Sequence, residues 1–272
     1  CKNTGSIFNY TLTLMINFSI VIPTYNSENT IRKCLESVFN QSLLPKEVII
    51  VDDFSNDGTR GIVNQLERLH NKKTHIIKVF LDKNTGPGMA RNIGMDKATG
   101  DYICFLDSDD MFVSEKLELL SNIIISYNYP DLIAHAVNHR KDGIVRNINL
   151  VDNIFKNYIE TTSAVCLKNL TYYRFPARRF AEDAALWLNI ITDNKRCIHY
   201  GKVLLDGNNE RTFVSGLSSQ MFNMYKGVVY NYYILMKNKK IKPFHFLFFS
   251  MIASVKYLIR VIKRFHYRNR NA

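Results

Sequence analysis

Four stretches decide how this chain folds: SIVIPTYN (19–26), VDDFSNDGT (51–59), GPGMARNIG (86–94) and GDYICFLDSDD (100–110). The first, second and fourth share one design. A short run rich in β-branched residues ends abruptly in a polar turn, so Phe18–Pro23, Glu47–Val51 and Asp101–Leu106 read as buried strands, and His75–Leu81 reads as another. Between them the period changes. Ile31, Leu35, Val38 and Phe39 recur at helical spacing from Asn29 to about Asn40. Asp57 can cap a second helix with Ile62, Leu66 and Leu69 as its core face, and Gly86–Ala98 is a third with a glycine-rich entry. Strands alternating with such helices predict right-handed βαβ units and an α/β fold, with a mostly parallel sheet covered on both faces. Ligands of such sheets bind beyond the carboxyl ends of the strands.

Working outward, the alternation blurs after Leu132–Val137. Residues 138–180 are mixed, Glu182–Ile191 reads as a helix, and 221–236, rich in Tyr and Met, as another. Lys237–Pro243 is a charged linker before a tail helix over 244–265. Residues 1–14 make a poor signal peptide, and Met15 precedes the first strand, so 1–14 is expected to be a disordered or non-native extension.

The chain of 272 residues carries 36 Lys+Arg and 24 Asp+Glu. All of the +12 excess lies after Glu210, the last acid, and residues 1–210 are neutral. This is a balanced domain with a basic tail, and a uniformly basic nucleic-acid binder does not fit it. The five cysteines are widely spaced with no CxxC, which fits a reducing cytosol, and Cys34 and Cys104 lie inside apolar runs and read as buried thiols.

Three polar turns should converge on one rim: Pro23-Thr24-Tyr25-Asn26 with Glu28 behind, Asp52-Asp53 with Asp57, and Asp107-Ser108-Asp109-Asp110. Crowded carboxylates are costly unless a cation lies between them, and hard oxygen ligands suit Mg²⁺ or Mn²⁺ bridged to substrate phosphates.

In order and spacing, the four stretches resemble the signature blocks of the family 2 glycosyltransferases of the GT-A fold over about residues 17–115. The resemblance implies a nucleotide-sugar donor, a divalent cation (Mn²⁺ or Mg²⁺) and transfer with inversion. It divides residues 15–236 into a nucleotide-sugar half (15–115) and an acceptor half (116–236). It gives Pro23, Tyr25 and Glu28 the base and ribose, and Asp53 the pyrimidine N3–H. Asp107 would lie near the ribose and the metal, Asp109 would bind the metal, and Arg91 would reach ribose or phosphate. The segment Phe180–Trp187 resembles the family's acidic block, which makes Asp183 the base and Glu182 its neighbour. Acids in a first helical turn also suit the macrodipole. Trp187 reads as core packing. Arg211 is expected at the diphosphate, although the family's later His is replaced here by Phe213.

In the tail, Lys256 and Arg260 interrupt the apolar run 244–255 before a span accumulates. On a helix, Lys256, Arg260, Lys263 and Arg264 fall on one side, with Ile252, Val255, Ile259 and Ile262 opposite. Residues 237–272 are therefore expected to be a basic amphipathic segment lying on an anionic membrane; the alternative is a helix packed on the catalytic domain or in a homodimer. The expected activity is transfer from a UDP-sugar to a polyprenyl-diphosphate-linked saccharide at the cytoplasmic face of a bacterial inner membrane, in O-antigen, capsule or exopolysaccharide assembly. A dTDP-deoxysugar donor is the alternative. A nucleotidyltransferase would open with a basic Gly-rich loop after the first strand, which is absent.

Overall fold

The computed structural model describes residues 15–70, 74–139, 141–206 and 220–270. The four strands expected in the first half form as β1 (Phe18–Thr24), β2 (Glu47–Asp52), β3 (His75–Phe80) and β4 (Tyr102–Phe105). The helices between them are α1 (Ile31–Phe39), α2 (Thr59–His70) and α3 (Pro87–Lys97). β1 pairs in parallel with β2 on one side and β4 on the other.

Alternation along these strands splits their side chains between two cores. Ile20, Ile22, Val48, Ile50 and Cys104 face α1 and α2, while Val21, Ile49, Val51, Ile103 and Phe105 face α3. The α2 expectation needs one correction. Val63 and Leu66 are its buried apolar residues, and Leu69 is 66% exposed. In the last turn His70 stacks on Phe39 of α1, ring centroids 4.2 Å apart, so its neighbour Leu69 points outward.

The second half is less regular. It runs β5 (Met111–Phe112), α4 (Lys116–Ser126), β6 (Leu132–Ala136), β7 (Val145–Asn147), α5 (Leu150–Lys156), a 3-10 turn (Thr162–Ala164), β8 (Val165–Lys168) and α6 (Glu182–Thr192). It ends with β9 (Cys197–Val203), β10 (Leu205–Asp206), α7 (Met221–Lys237) and α8 (Pro243–Arg270). The eight-stranded sheet has the order β3-β2-β1-β4-β8-β6-β9-β7. It is parallel through β4 and then mixed, because β8 runs antiparallel to both β4 and β6, and β7 to β9. The expected mostly parallel sheet thus holds for the first half only.

A third core joins Ile154 of α5, Leu188 of α6, Tyr232 and Leu235 of α7, Ile241, and Phe249 of α8. One side of the tail helix is therefore packed on the domain. Lys256 belongs to that side, since its Nζ donates to the Ile154 and Phe155 carbonyls in the last turn of α5. The opposite side bears Phe244, Leu247, Met251, Val255, Leu258 and Ile262, each at least half exposed. Lys256 and Arg260 do not cut the apolar run short: Pro243–Arg264 is long and apolar enough, by length and composition, to cross a membrane. Cys34, Cys104, Cys166 and Cys197 are buried free thiols, as expected of the first two.

Candidate active site

The chain moves outward from β1 to β2 and β3, then returns to place β4 on the other side of β1. A crevice opens at the carboxyl ends of β1 and β4, where the order reverses. It is a cavity of about 400 Å³ lined by residues including Tyr25, Ser27, Thr30, Ser108 and Asp109. Its two walls are joined by a hydrogen bond between the Ser27 and Ser108 hydroxyls, 2.6 Å. Tyr25 is 51% exposed at this mouth, while Pro23 is buried within β1 opposite Val51.

The acids of the rim divide into those that build the turns and those that face the crevice. Asp52 is fully buried and accepts from Arg60 Nε at 2.5 Å and Ser55 N at 3.1 Å. Asp53, 3% exposed, holds the entry to α3: Oδ1 accepts from Thr85 N (2.6 Å) and Oγ1 (2.9 Å), and Oδ2 from Gly86 N (2.8 Å). An imide proton could use only the capacity left on Oδ2. Glu28 likewise accepts from Gly58 N at 2.7 Å and fastens the β1 turn to the β2 turn.

The Asp107 turn is secured from below. Ser163 Oγ accepts from Asp107 N at 3.0 Å, and Lys116 Nζ donates to Ser163 O at 2.8 Å. Lys116 is fully buried, and burial pushes its ammonium down to about 8. The nearby acid Asp110 opposes that shift. Its location under the turn has no signature in the sequence, where it opens an amphipathic helix.

Arg91 is engaged on both sides. It is 5% exposed, and its Nη2 meets Asp107 Oδ1 at 2.6 Å while Nη1 reaches Glu182 Oε1 at 3.4 Å. The guanidinium therefore links β4's turn to the start of α6. That bond also draws Asp107 to Arg91, leaving Asp109 as the acid on the crevice wall. Among the described residues no cluster of three or more His, Cys, Asp or Glu could hold a metal alone. A single exposed carboxylate beside a cavity fits Mg²⁺ or Mn²⁺, which keep most of their shell for phosphate and water.

Glu182 and Asp183 open α6, as the sequence indicates. Glu182 is 6% exposed, and burial first, then the charge of Asp183, raises its carboxyl to about 7 against the pull of Arg91. A Cβ at Gly88 would lie 2.8 Å from Glu182 Cγ, so α3 and the start of α6 touch. Asn92 secures the same approach through both backbone groups of Phe175, at 2.8 Å each. Trp187 is buried core. Arg211 and Phe213 lie outside the described residues. Sequence reasoning singled out neither Ser163, Lys116 nor Asn92, although Asn92 sits inside one of the four opening stretches.

The crevice thus lies at a switch point, and Arg91 ties the turn on its wall to Glu182 at the start of a separate helix. The profile of glycosyl transferase family 2 matches residues 19–175, more than half of the chain, and the chain belongs to that family. It is a glycosyltransferase with the GT-A fold. An uncharacterised glycosyltransferase of Haemophilus influenzae is 29% identical over 254 residues, covering 88% of this chain and 97% of its own length. A Campylobacter jejuni GalNAc(5)-diNAcBac-PP-undecaprenol beta-1,3-glucosyltransferase is 25% identical, covering 78% and 72%. Two Rickettsia relatives, 34% and 33% identical, are matched over only 26% and 30% of their lengths. Among solved structures, S. aureus TarS residues 1–349 with UDP-GlcNAc gives a TM-score of 0.65 at 24% identity, covering 81% of this chain and 67% of that one. A Pyrobaculum calidifontis mannosyltransferase with GDP-Man and Mn²⁺ gives 0.64 at 18%, covering 91% and 75%.

Proposed function

We propose that this enzyme transfers one sugar, with inversion, from a UDP-sugar to a lipid-linked saccharide at a membrane surface. The observation that carries the reading is the Arg91 bridge, which ties Asp107, in the turn whose Asp109 lines the crevice, to Glu182 beside Asp183 at the start of α6. The nucleotide occupies the crevice with its base against Tyr25 and the free capacity of Asp53. Asp109 holds the divalent cation, which neutralises the charge developing on the leaving diphosphate. Asp183 takes the proton of the acceptor hydroxyl as that oxygen bonds the anomeric carbon and the bond to the diphosphate breaks. Glu182, bound to Arg91, keeps the acid pair facing the donor. The UDP and lipid-linked assignments are supported by the TarS complex with UDP-GlcNAc and by the undecaprenol-linked relative. A dTDP-deoxysugar remains the second donor, since the Asp53 contact serves uracil and thymine alike.

The exposed side of α8 supports attachment to the cytoplasmic face of the membrane. A spanning α8 would carry into lipid the part of the domain packed along it, because Phe249 and Lys256 are engaged with that domain. It therefore lies along the interface with its apolar stripe in lipid, and the cations that outnumber acids after Glu210 attract anionic headgroups. A donor screen by nucleotide release, with Mn²⁺ or Mg²⁺ and an EDTA control, tests the reaction. Release from a UDP-sugar only with cation present is expected; no release from any nucleotide sugar would overturn it.

A further inference from the structure

The acid pair follows a residue in an unusual conformation. Ala181 precedes Glu182 with φ 52°, the left-handed region, where a Cβ crowds the backbone. Such a conformation persists only where the surroundings impose it. Here three donors converge on the Ala181 carbonyl: Ala185 N at 3.1 Å, as in any first helical turn, plus Arg178 Nη2 at 3.1 Å and Asn231 Nδ2 at 3.0 Å. Asn231 lies on α7 and is 3% exposed. One turn earlier on α7, a Cβ at Gly227 would come 2.8 Å from the Phe180 carbonyl, so the helix is pressed directly onto this turn. Residue 231 lies beyond the 19–175 segment that the family profile covers.

We propose that Asn231 is a positioning residue for the acid pair: with Arg178 it clamps Ala181 in the left-handed conformation and thereby aims Glu182 and Asp183 at the donor crevice. This rests on the reading of that pair as the acceptor side of transfer. The clamp also ties the acid turn to the α7–α8 hairpin, because α7 shares a core with α8. Asn231 is poorly explained as a residue that merely satisfies buried polar groups, since its own Oδ1 has no partner. Leucine would fill its volume without that unpaired atom, so Asn231→Leu removes the clamp without a cavity.

The test uses the full chain as wild type, Asn231→Leu, Ala181→Gly and the double variant. UDP affinity, transfer kcat and KM, melting temperature and hydrogen exchange of the Ala185 amide are measured. Asn231→Leu is expected to keep UDP affinity within about twofold, lower kcat by about tenfold or more, and speed exchange at Ala185. Adding Ala181→Gly is expected to restore much of the kcat, because glycine adopts positive φ without a clamp. Unchanged kcat, a matching fall in UDP affinity and melting temperature, or no rescue by Ala181→Gly would overturn the proposal. If the wild type transfers no sugar, the reading of the site fails separately, and unchanged Ala185 exchange in Asn231→Leu would still overturn the clamp.

Discussion

The two sides of the crevice are held by different means. On the proposed donor side, carboxylates at strand ends grip backbone amides of neighbouring turns: Asp53 takes Thr85 and Gly86, Glu28 takes Gly58, and Asp57 takes Glu28. These bonds are short-range extensions of a sheet buried on both faces. On the acceptor side, the acid pair sits on a strained turn held by Arg178 and by Asn231, which lies 50 residues further along the chain. The donor wall is rigid because its parts belong to one sheet. The proposed acceptor wall depends instead on how loops and the α7–α8 hairpin pack.

The largest effects should separate the two walls by which step fails. Asp109→Asn should cut turnover by about 10³-fold and also weaken UDP binding measured with Mn²⁺, because one charge leaves the cation site. Asp183→Asn should cut transfer by about 10²–10⁴-fold while UDP affinity stays near wild type. Equal losses of UDP affinity in both would erase the distinction. Next in size is Asp53→Ala, which strands the Thr85 and Gly86 amides. A loss of about 2–4 kcal/mol in thermal or urea unfolding is expected, larger than for Asp53→Asn.

Stability against pH should have opposite slopes for the two walls. Glu182 is raised in the folded protein to about 7 from an ordinary 4.5, so the folded state binds its proton more tightly. Its contribution is largest at low pH and is lost as pH rises through about 7. Lys116 is lowered to about 8 from 10.5, so the folded state releases its proton first, and stability rises with pH from about 8 to 10.5. Unfolding measured across pH should lose the first slope in Glu182→Gln and the second in Lys116→Met. The smallest effect on catalysis belongs to the tail: Leu247→Glu with Leu258→Glu should abolish sedimentation with phosphatidylglycerol vesicles and leave donor hydrolysis near wild type.

The donor half was legible because its signals are local. A β-branched run such as EVIIV buried on both faces has little choice but to be a central strand, and the polar turn after it must lie on the rim. Leu69 was misplaced because His70, not the helical period, decided which last-turn residue met α1. The antiparallel β8 was missed because VCLK is too short to stand out, and its place between β4 and β6 comes from pairings far apart in sequence. The acid pair itself could be read from its block. The Arg91 bridge and the Ala181 clamp could not, because side chains from distant helices create them. Lys116 looks like an ordinary surface lysine until the fold closes over it.

The six apolar residues of α8 that are at least half exposed run from Phe244 to Ile262, a line of about 27 Å at the helical rise of about 1.5 Å per residue. A point anchor leaves a protein free to roll and pitch. If the stripe rests on lipid as proposed, a keel of this length resists pitching along its axis and leaves only the roll about that axis to be set by the flanking cations. On that reading the protein would search for its acceptor in two dimensions, and the seating of the stripe would set the height at which the crevice meets it.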